Sequence, residues 1–261
     1  MHAQIYSDIH LEFYNTFPRI KPQCDNLILT GDIGKLHIQQ WRDFIAYCSQ
    51  HWNKVYYVLG NHEFYHCKKS IQTLKEEYSD FFDTYSNIYL LDCSTFINTK
   101  EDILIIGCTL WSHVDQRIAD SISDFRTIKY KSEESEGRTK SISHHQYNEM
   151  HSRELEFLKQ TLANTEYSKI IICTHYPTTQ QSSNPKYDNQ PSYIRNYFAN
   201  EIDFSKYTDK EIICIAGHTH WSYDFKNKTN NVRYIANQFG YPDEIKENET
   251  GIRENMVYTL F

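Results

Sequence analysis

Lys54-Val55-Tyr56-Tyr57-Val58-Leu59-Gly60-Asn61-His62-Glu63 is the stretch that decides the fold. Its first six residues are mostly β-branched or aromatic and run into a glycine, the composition of a buried strand stopped by a turn. The polar tetrad Gly60 to Glu63 therefore stands at the carboxyl end of a strand. Four further stretches have the same form. Asp8-Ile9-His10 follows the apolar run 3–6, Gly31-Asp32 follows 26–30, His175 follows 169–173, and Gly217-His218-Thr219-His220 follows 211–216. In layered α/β folds, the carboxyl edge of the strands is where sites are built.

Helical spacing fills the gaps between these strands. Trp41, Phe44, Ile45, Cys48 and Trp52 predict a helix over 36–51 with one face on a sheet, and Ile71, Leu74, Tyr78 and Phe81 predict a second. Residues 88–91 and 103–106 read as strands. From 111 to about 143 the periodicity is lost, and the mixed-charge, glycine-broken run 131–140 reads as a solvated loop within an inserted cap. Tyr147, His151, Leu155, Leu158 and Leu162 restore a helix. Residues 176–191, rich in Pro, Gln, Ser and Asn, read as an irregular loop. Short strands are expected over 221–225, 232–236 and 256–260. With no repeat and no linker, the expectation is a single domain over 1–261 carrying an insertion at about 111–143.

A chain of 261 residues can bury a substantial core without disulfides. Its mean hydropathy of -0.68 and 23% charged residues suit a soluble protein. The formal charge of -7 provides no basic footprint for long nucleic acid, leaving room only for a local cationic site. No run approaches the length of a membrane span, and the first motif begins too early for a cleavable signal ahead of it. The seven cysteines form no Cys-x-x-Cys pair, and Cys108, Cys173 and Cys214 lie in or beside apolar runs, which reads as buried thiols in the reducing cytoplasm. Asn227-Lys-Thr and Asn248-Glu-Thr read as surface loop rather than glycosylation sites. Gly31-Asp-Ile-Gly34-Lys35 lacks the spacing and the Ser/Thr of a phosphate-cradling loop.

The five motifs pool two carboxylates (Asp8, Asp32), four imidazoles (His10, His175, His218, His220) and one amide (Asn61). Oxygen and nitrogen donors without thiolate suit Mn, Fe, Co, Ni or Zn better than Ca or Mg, and argue against a closed structural zinc site. Seven ligands exceed what one ion takes, and fit two ions sharing a carboxylate. Two divalent ions balanced by only two carboxylates leave a positive centre that attracts a phosphate ester. Such a pair, about 3.5–4 Å apart, can clamp an in-line displacement. His62 directly follows Asn61 and is the candidate for binding phosphoryl oxygens or protonating the leaving alkoxide, with Glu63 orienting it or ending the turn. The remaining histidines (His2, His37, His51, His66, His113, His144, His145, His151) show no such pattern and read as structural or surface groups.

The series Asp8-x-His10, Gly31-Asp32, Gly60-Asn61-His62-Glu63, His175 and Gly217-His218-x-His220 resembles the calcineurin-like metallophosphoesterase superfamily. Thr109-Leu110-Trp111 and Asn237-Gln-Phe-Gly240-Tyr241-Pro242 look like a poorly characterised, mainly bacterial branch of small phosphoesterases. The resemblance implies a four-layer αββα sandwich of two mixed sheets flanked by helices. It implies that Asp8, His10, Asp32 and His220 hold one divalent ion and Asp32, Asn61, His175 and His218 the other, with manganese the leading choice. Asp32 would be the bridge and His62 the leaving-group or phosphate residue, in direct attack by a metal-held hydroxide. Two departures concern the surroundings of these residues. Ile33-Gly34-Lys35 lacks the acidic residue usual after Gly-Asp, and Tyr176 stands where relatives often have a second histidine.

The function expected is hydrolysis of a small phosphodiester or phosphomonoester, nucleotide-like in the sense that Tyr65, Trp111, Tyr176 and Tyr241 could stack on a base. Arg126, Lys129 and Arg195 could add phosphate contacts. The alternatives are a nuclease on single-stranded ends, which would bind oligonucleotides in a salt-sensitive way, and a non-catalytic metal-binding scaffold, which would bind metal and hydrolyse no ester.

Overall fold

The computed structural model describes residues 1–66, 68–131 and 138–261. Strands β1 (His2–Tyr6), β2 (Asn26–Thr30), β3 (Lys54–Val58) and β4 (Ile88–Leu90) pair in parallel, and β13 (Tyr258–Thr259) adds antiparallel to β1. A second sheet has the order β11 (Tyr223–Lys226), β12 (Arg233–Ala236), β10 (Glu211–Ile215), β9 (Lys169–Thr174), β6 (Ile103–Cys108), β5 (Ser94–Asn98), parallel except for its two edges.

Alternation along the strands sends side chains to both faces of each sheet. Ala3, Ile5, Ile28, Tyr56 and Val58 meet Ile105, Ile171, Cys173, Ile213 and Ile215 between the sheets. Leu27, Leu29, Val55 and Tyr57 join the outer core that contains Trp41, Phe44 and Ile45 of α1 (Gln39–His51) and Leu74, Tyr78 and Phe82 of α2 (Ile71–Phe82). On the other side, Leu104, Ile106, Ile170 and Ile172 cluster with Leu158 and Leu162 of α5 (His144–Asn164). This is the expected four-layer sandwich.

Differences from the sequence reading lie at edges and in the insertion. α1 starts three residues late because Ile38 is extended, whereas α2 begins where Ser70 accepts a hydrogen bond from Thr73 N at 3.2 Å. α5 opens on a capping box between Ser143 and Gln146. β5 was not foreseen, since its Ser-Thr-Phe-Ile-Asn is a half-exposed edge. The last strand shrinks to two residues. Region 111–143 contains α3 (Gln116–Ala119), α4 (Asp124–Thr127) and an antiparallel ribbon of β7 (Lys129–Lys131) with β8 (Thr139–Ser141). It is no plain loop, for Trp111, Val114, Ile122, Ile128 and Ile142 are buried in the same core as α1 and α2. Residues 132–137 of the expected solvated run lie outside the described residues. The stretch after His175 holds two short 3-10 turns (Gln180–Ser182, Pro185–Tyr187) before α6 (Ser192–Phe198), and α7 (Pro242–Lys246) follows β12. The six described cysteines are free thiols, four of them buried.

Candidate metal centre

All five motifs leave the carboxyl ends of parallel strands, β1, β2 and β3 in one sheet and β9 and β10 in the other. Main-chain hydrogen bonds stitch the loops together: Asp8 N to Gly31 O (3.0 Å), His10 N to Asp32 O (2.9 Å) and Gly217 N to His175 O (3.0 Å). Asp8, His10, Asp32, His218 and His220 adopt the left-handed region, with φ between 49° and 70°. Non-glycine residues pay a steric penalty there, which a surrounding framework must enforce. Glycines make room for the crowded side chains. A Cβ on Gly31, itself at φ 83°, would lie 2.5 Å from His175 Nδ1 and 2.7 Å from Gly60 N, and one on Gly217 would lie 2.7 Å from Asp8 Oδ2.

The residues read from the sequence as ligands converge in two adjoining groups, Asp8-His10-His220 and Asp32-His175-His218. His10 Nε2 is 3.1 Å from His220 Nε2, and His220 Nε2 is 3.5 Å from Asp8 Oδ1. In the other group His175 Nε2 is 3.0 Å from Asn61 Oδ1 and 3.4 Å from Asp32 Oδ2. The same Asp32 Oδ2 is 3.9 Å from His10 Nε2, so one oxygen faces both groups. Donors about 2.1 Å from a common ion stand about 3.0 Å apart at right angles and about 3.4 Å apart in a tetrahedron. The spacings of 3.0 to 3.5 Å match that requirement.

The hydrogen bonds made by the far ring nitrogens test whether a cation fits. His220 Nδ1 donates to Glu244 Oε2 (2.5 Å), His175 Nδ1 to Thr30 O (2.9 Å), and His10 Nδ1 faces Glu12 Oε1 at 3.4 Å. With the proton held at Nδ1, each Nε2 of a neutral ring turns a lone pair inward. Two lone pairs 3.1 Å apart repel unless positive charge lies between them. His218 Nε2 is buried and has no hydrogen-bond partner among the described residues. Burial alone would lower the pKa of His175, but Asp32 outweighs it and raises it to about 9. Asp32 is in turn held well below the usual carboxylate range, His175 overcoming the effect of its burial. The donor set therefore calls for cations and fits divalent ions.

His62 stands beside both groups. Its Nδ1 is 2.9 Å from Glu12 Oε1, its N donates to Asp32 Oδ1 (2.8 Å), and its Nε2 is 3.4 Å from the Tyr241 hydroxyl. Burial opposes its protonation, but Asp32 and Glu12 win and raise its pKa. Partial burial would raise the carboxyl of Glu12, yet hydrogen bonds from His10 and His62 hold it at about 2. Glu63 does not orient His62. Its carboxylate accepts from Asp32 N, Gly60 N and Ile33 N at 2.9 Å each and from the Tyr57 hydroxyl at 2.8 Å, tying the second and third motif loops together.

Asp124 of α4 is a site residue the sequence did not reveal. Fully buried, it accepts from Asn61 Nδ2 (2.9 Å) and from the hydroxyls of Tyr65 (2.5 Å), Tyr147 (3.1 Å) and Tyr176 (3.2 Å). A carboxylate only accepts, so it fixes the Asn61 amide with Nδ2 toward itself and Oδ1 toward His175. Glu12 and Glu244 were also missed. The pattern Asp8-x-His10-x-Glu12 was a visible signal for the first, while Glu244 and Asp124 lie in segments without one.

A cavity of about 220 Å³ opens over the centre, lined on its outer side by Tyr65, Lys186, Tyr187, Tyr197, Phe198 and Tyr241. Of the aromatics expected to stack on a base, Tyr65 and Tyr241 line it. Trp111 and Tyr176 are completely buried, Trp111 against Phe64 and Tyr147, and Tyr176 on the Asp124 network, so neither is a stacking surface. Arg126 and Lys129 border a neighbouring cavity instead, and Arg195 lines neither.

A family model described as calcineurin-like phosphoesterase matches residues 3–222. An uncharacterized protein of Acanthamoeba polyphaga mimivirus is 28% identical across 91% of this chain and 90% of its own length. Among solved structures, the phosphopantetheinyl hydrolase of Mycobacterium tuberculosis aligns with a TM-score of 0.68 over 97% of this chain and 94% of that one. At 14% identity, that likeness is one of fold.

Proposed function

This chain belongs to the calcineurin-like phosphoesterase family, and on that premise we propose that it hydrolyses a small, nucleotide-like phosphodiester or phosphomonoester at a dinuclear centre. The observation that carries the reading is Asp32, whose Oδ2 faces His175 Nε2 at 3.4 Å and His10 Nε2 at 3.9 Å, as a bridging ligand would. Asp8, His10, Asp32 and His220 would hold one ion, and Asp32, Asn61, His175 and His218 the other. Manganese suits this mixed set, with Fe, Zn, Co or Ni as substitutes. When bound, two such ions supply positive charge to phosphoryl oxygens and acidify a water between them.

The chain's own residues do the rest. Glu12 holds His62 by Nδ1 and, with Asp32, favours its protonated form, leaving Nε2 directed at the cavity to give its proton to the departing alkoxide. Tyr65 stacks on the His62 ring at 4.2 Å and keeps it in that attitude. Tyr187, Tyr197, Phe198 and Tyr241 offer aromatic surface for a planar group on the ester. We further place the activity in the cytoplasm, on one domain whose 111–143 insertion contributes Asp124. Among the described residues no helix is long and apolar enough to cross a membrane. An extended nucleic-acid substrate is not favoured by a charge of -7.

The test is release of nitrophenol from a nitrophenyl phosphodiester and the matching monoester by metal-stripped protein, with and without added manganese. Manganese-dependent release is expected, and the ratio of the two esters assigns the preference. Glu12→Gln should lower kcat by about 10- to 100-fold with metal content unchanged. Stoichiometric metal binding with no hydrolysis of either ester would remove the small-ester reading and leave the scaffold.

A further inference from the structure

A second cavity, of about 450 Å³, adjoins the first and is lined by His37, Tyr65, His66, Arg126, Thr127 and Lys129. No carboxylate is among these residues, although the chain as a whole carries -7. Tyr65 lines both cavities, and its ring lies against His62 at 4.2 Å and 29°. The second cavity therefore meets the first at Tyr65, beside the face of the His62 ring.

Its cations are positioned by neutral oxygens rather than by acids. Arg126 Nη1 donates to Asp120 O (3.0 Å), and Lys129 Nζ donates to Arg126 O (3.1 Å) and Ser141 Oγ (2.9 Å). Lys35 Nζ approaches the Tyr65 ring at 5.9 Å. Among the described residues none of these three is ion-paired, whereas Lys69 nearby is bound by Glu77 at 2.7 Å and Lys186 of the first cavity by Glu244 at 3.3 Å. His66 Nδ1 accepts from Lys68 N and Lys69 N, both at 3.1 Å, so its Nε2 carries a proton and is a donor. Burial lowers the pKa of His37 and His66; nearby Lys69 and Lys35 lower both further, while Glu77 opposes the shift at His66. Guanidinium, ammonium and imidazole N–H donors in a cavity with no carboxylate in its lining are the recognition chemistry of a phosphate.

We propose that this cavity is an anion subsite, and that the substrate carries a second phosphate beyond the ester that is cleaved, recognised by Arg126, Lys129 and His66. The proposal rests on the phosphoesterase reading for the ester that is cleaved. Its test does not depend on turnover. Non-hydrolysable α,ω-alkane bisphosphonates of three to eight carbons serve as rulers, each compared with the alkyl monophosphonate of the same length. Binding to manganese-loaded protein is measured by calorimetry. At one or two lengths the bisphosphonate should bind about tenfold more tightly, the gain of a second charge-assisted contact near the surface. That ratio should fall close to one in Arg126→Gln/Lys129→Gln. A ratio below about two at every length, or an undiminished ratio in the double variant, would overturn the subsite. Absence of nitrophenyl ester hydrolysis overturns the phosphoesterase reading alone, because the binding ratio is read separately.

Discussion

Asp124→Asn isolates the role of one buried carboxylate while keeping its shape. In the native protein, Oδ1 accepts from Asn61 Nδ2 at 2.9 Å and the Tyr65 hydroxyl at 2.5 Å, and Oδ2 from Tyr147 and Tyr176 at 3.1 and 3.2 Å. The substitution turns one oxygen into a donor. If the new NH₂ faces Asn61, the Asn61 amide must flip and present nitrogen to His175 and Asp32. If the remaining oxygen faces Asn61, the two phenols turn to accept and only the charge assistance disappears. Hydrogen bonds to a charged group contribute about 1.5–3 kcal/mol against about 1 kcal/mol for neutral ones, so the orienting energy falls by about 1–2 kcal/mol. That is about 5- to 30-fold in affinity for the ion held through Asn61. Manganese titration of metal-stripped native and variant protein by calorimetry reads it directly. One site should weaken by that factor, and the other should change by less than about threefold. Asp124→Ala, which strands four donors, should lower the Tm as well. Two sites of native affinity in Asp124→Asn, with unchanged kcat, would refute the positioning role.

Asp32→Asn should weaken both metal positions, since Oδ2 faces both groups, and elemental analysis after dialysis should find less than one ion per chain; two retained ions would refute the bridge. Gly31→Ala combines a left-handed φ of 83° with contacts of 2.5 Å to His175 Nδ1 and 2.7 Å to Gly60 N. A loss of more than about 3 kcal/mol in urea denaturation, or insoluble protein, is expected. Glu154 lies buried beneath the turn after β6, where its Oε2 accepts from Leu110 N at 2.5 Å. Burial raises its pKa to about 7, Lys75 only partly opposing. A raised carboxyl binds its proton more tightly folded than unfolded, so its stabilising contribution is full below about pH 4.5 and is lost as pH rises through about 7. Native stability should decline across that window by up to about 3 kcal/mol more than that of Glu154→Gln, measured by denaturation at a series of pH values. Parallel pH profiles would contradict the shift.

The sandwich and the convergence of the candidate ligands were legible because each motif is coupled to a strong local signal, an apolar run ending in a polar turn. Strand and ligand are adjacent in sequence, so reading one places the other. What surrounds the ligands was much less legible. Asp124 reaches Asn61 from 63 residues away, on a four-residue helix too short to show a period. The buried residues of the insertion, Trp111, Val114, Ile122, Ile128 and Ile142, follow no fixed spacing, and the segment therefore read only as an inserted cap without a period. Trp111 and Tyr176 illustrate a different limit. An aromatic next to a motif has the same sequence whether it faces the substrate or the core, and both face the core. The departure at Tyr176 acquires a meaning in three dimensions, since its hydroxyl supports the carboxylate that orients Asn61.

Each of the two ligand groups draws on both sheets. Asp8 and His10 follow β1 while His220 comes from beyond β10, and Asp32 follows β2 while His175 and His218 follow β9 and β10. An ion in either group is thus a cross-link between halves of the sandwich, joining residues as distant as His10 and His220, 210 positions apart. Unlike a disulfide, which also constrains the unfolded chain, it binds only the folded arrangement and stabilises it by its binding free energy. The metals would then act as fasteners for one end of the molecule. Depletion should unclasp that end first, raising amide exchange at the strand termini while the opposite end stays protected.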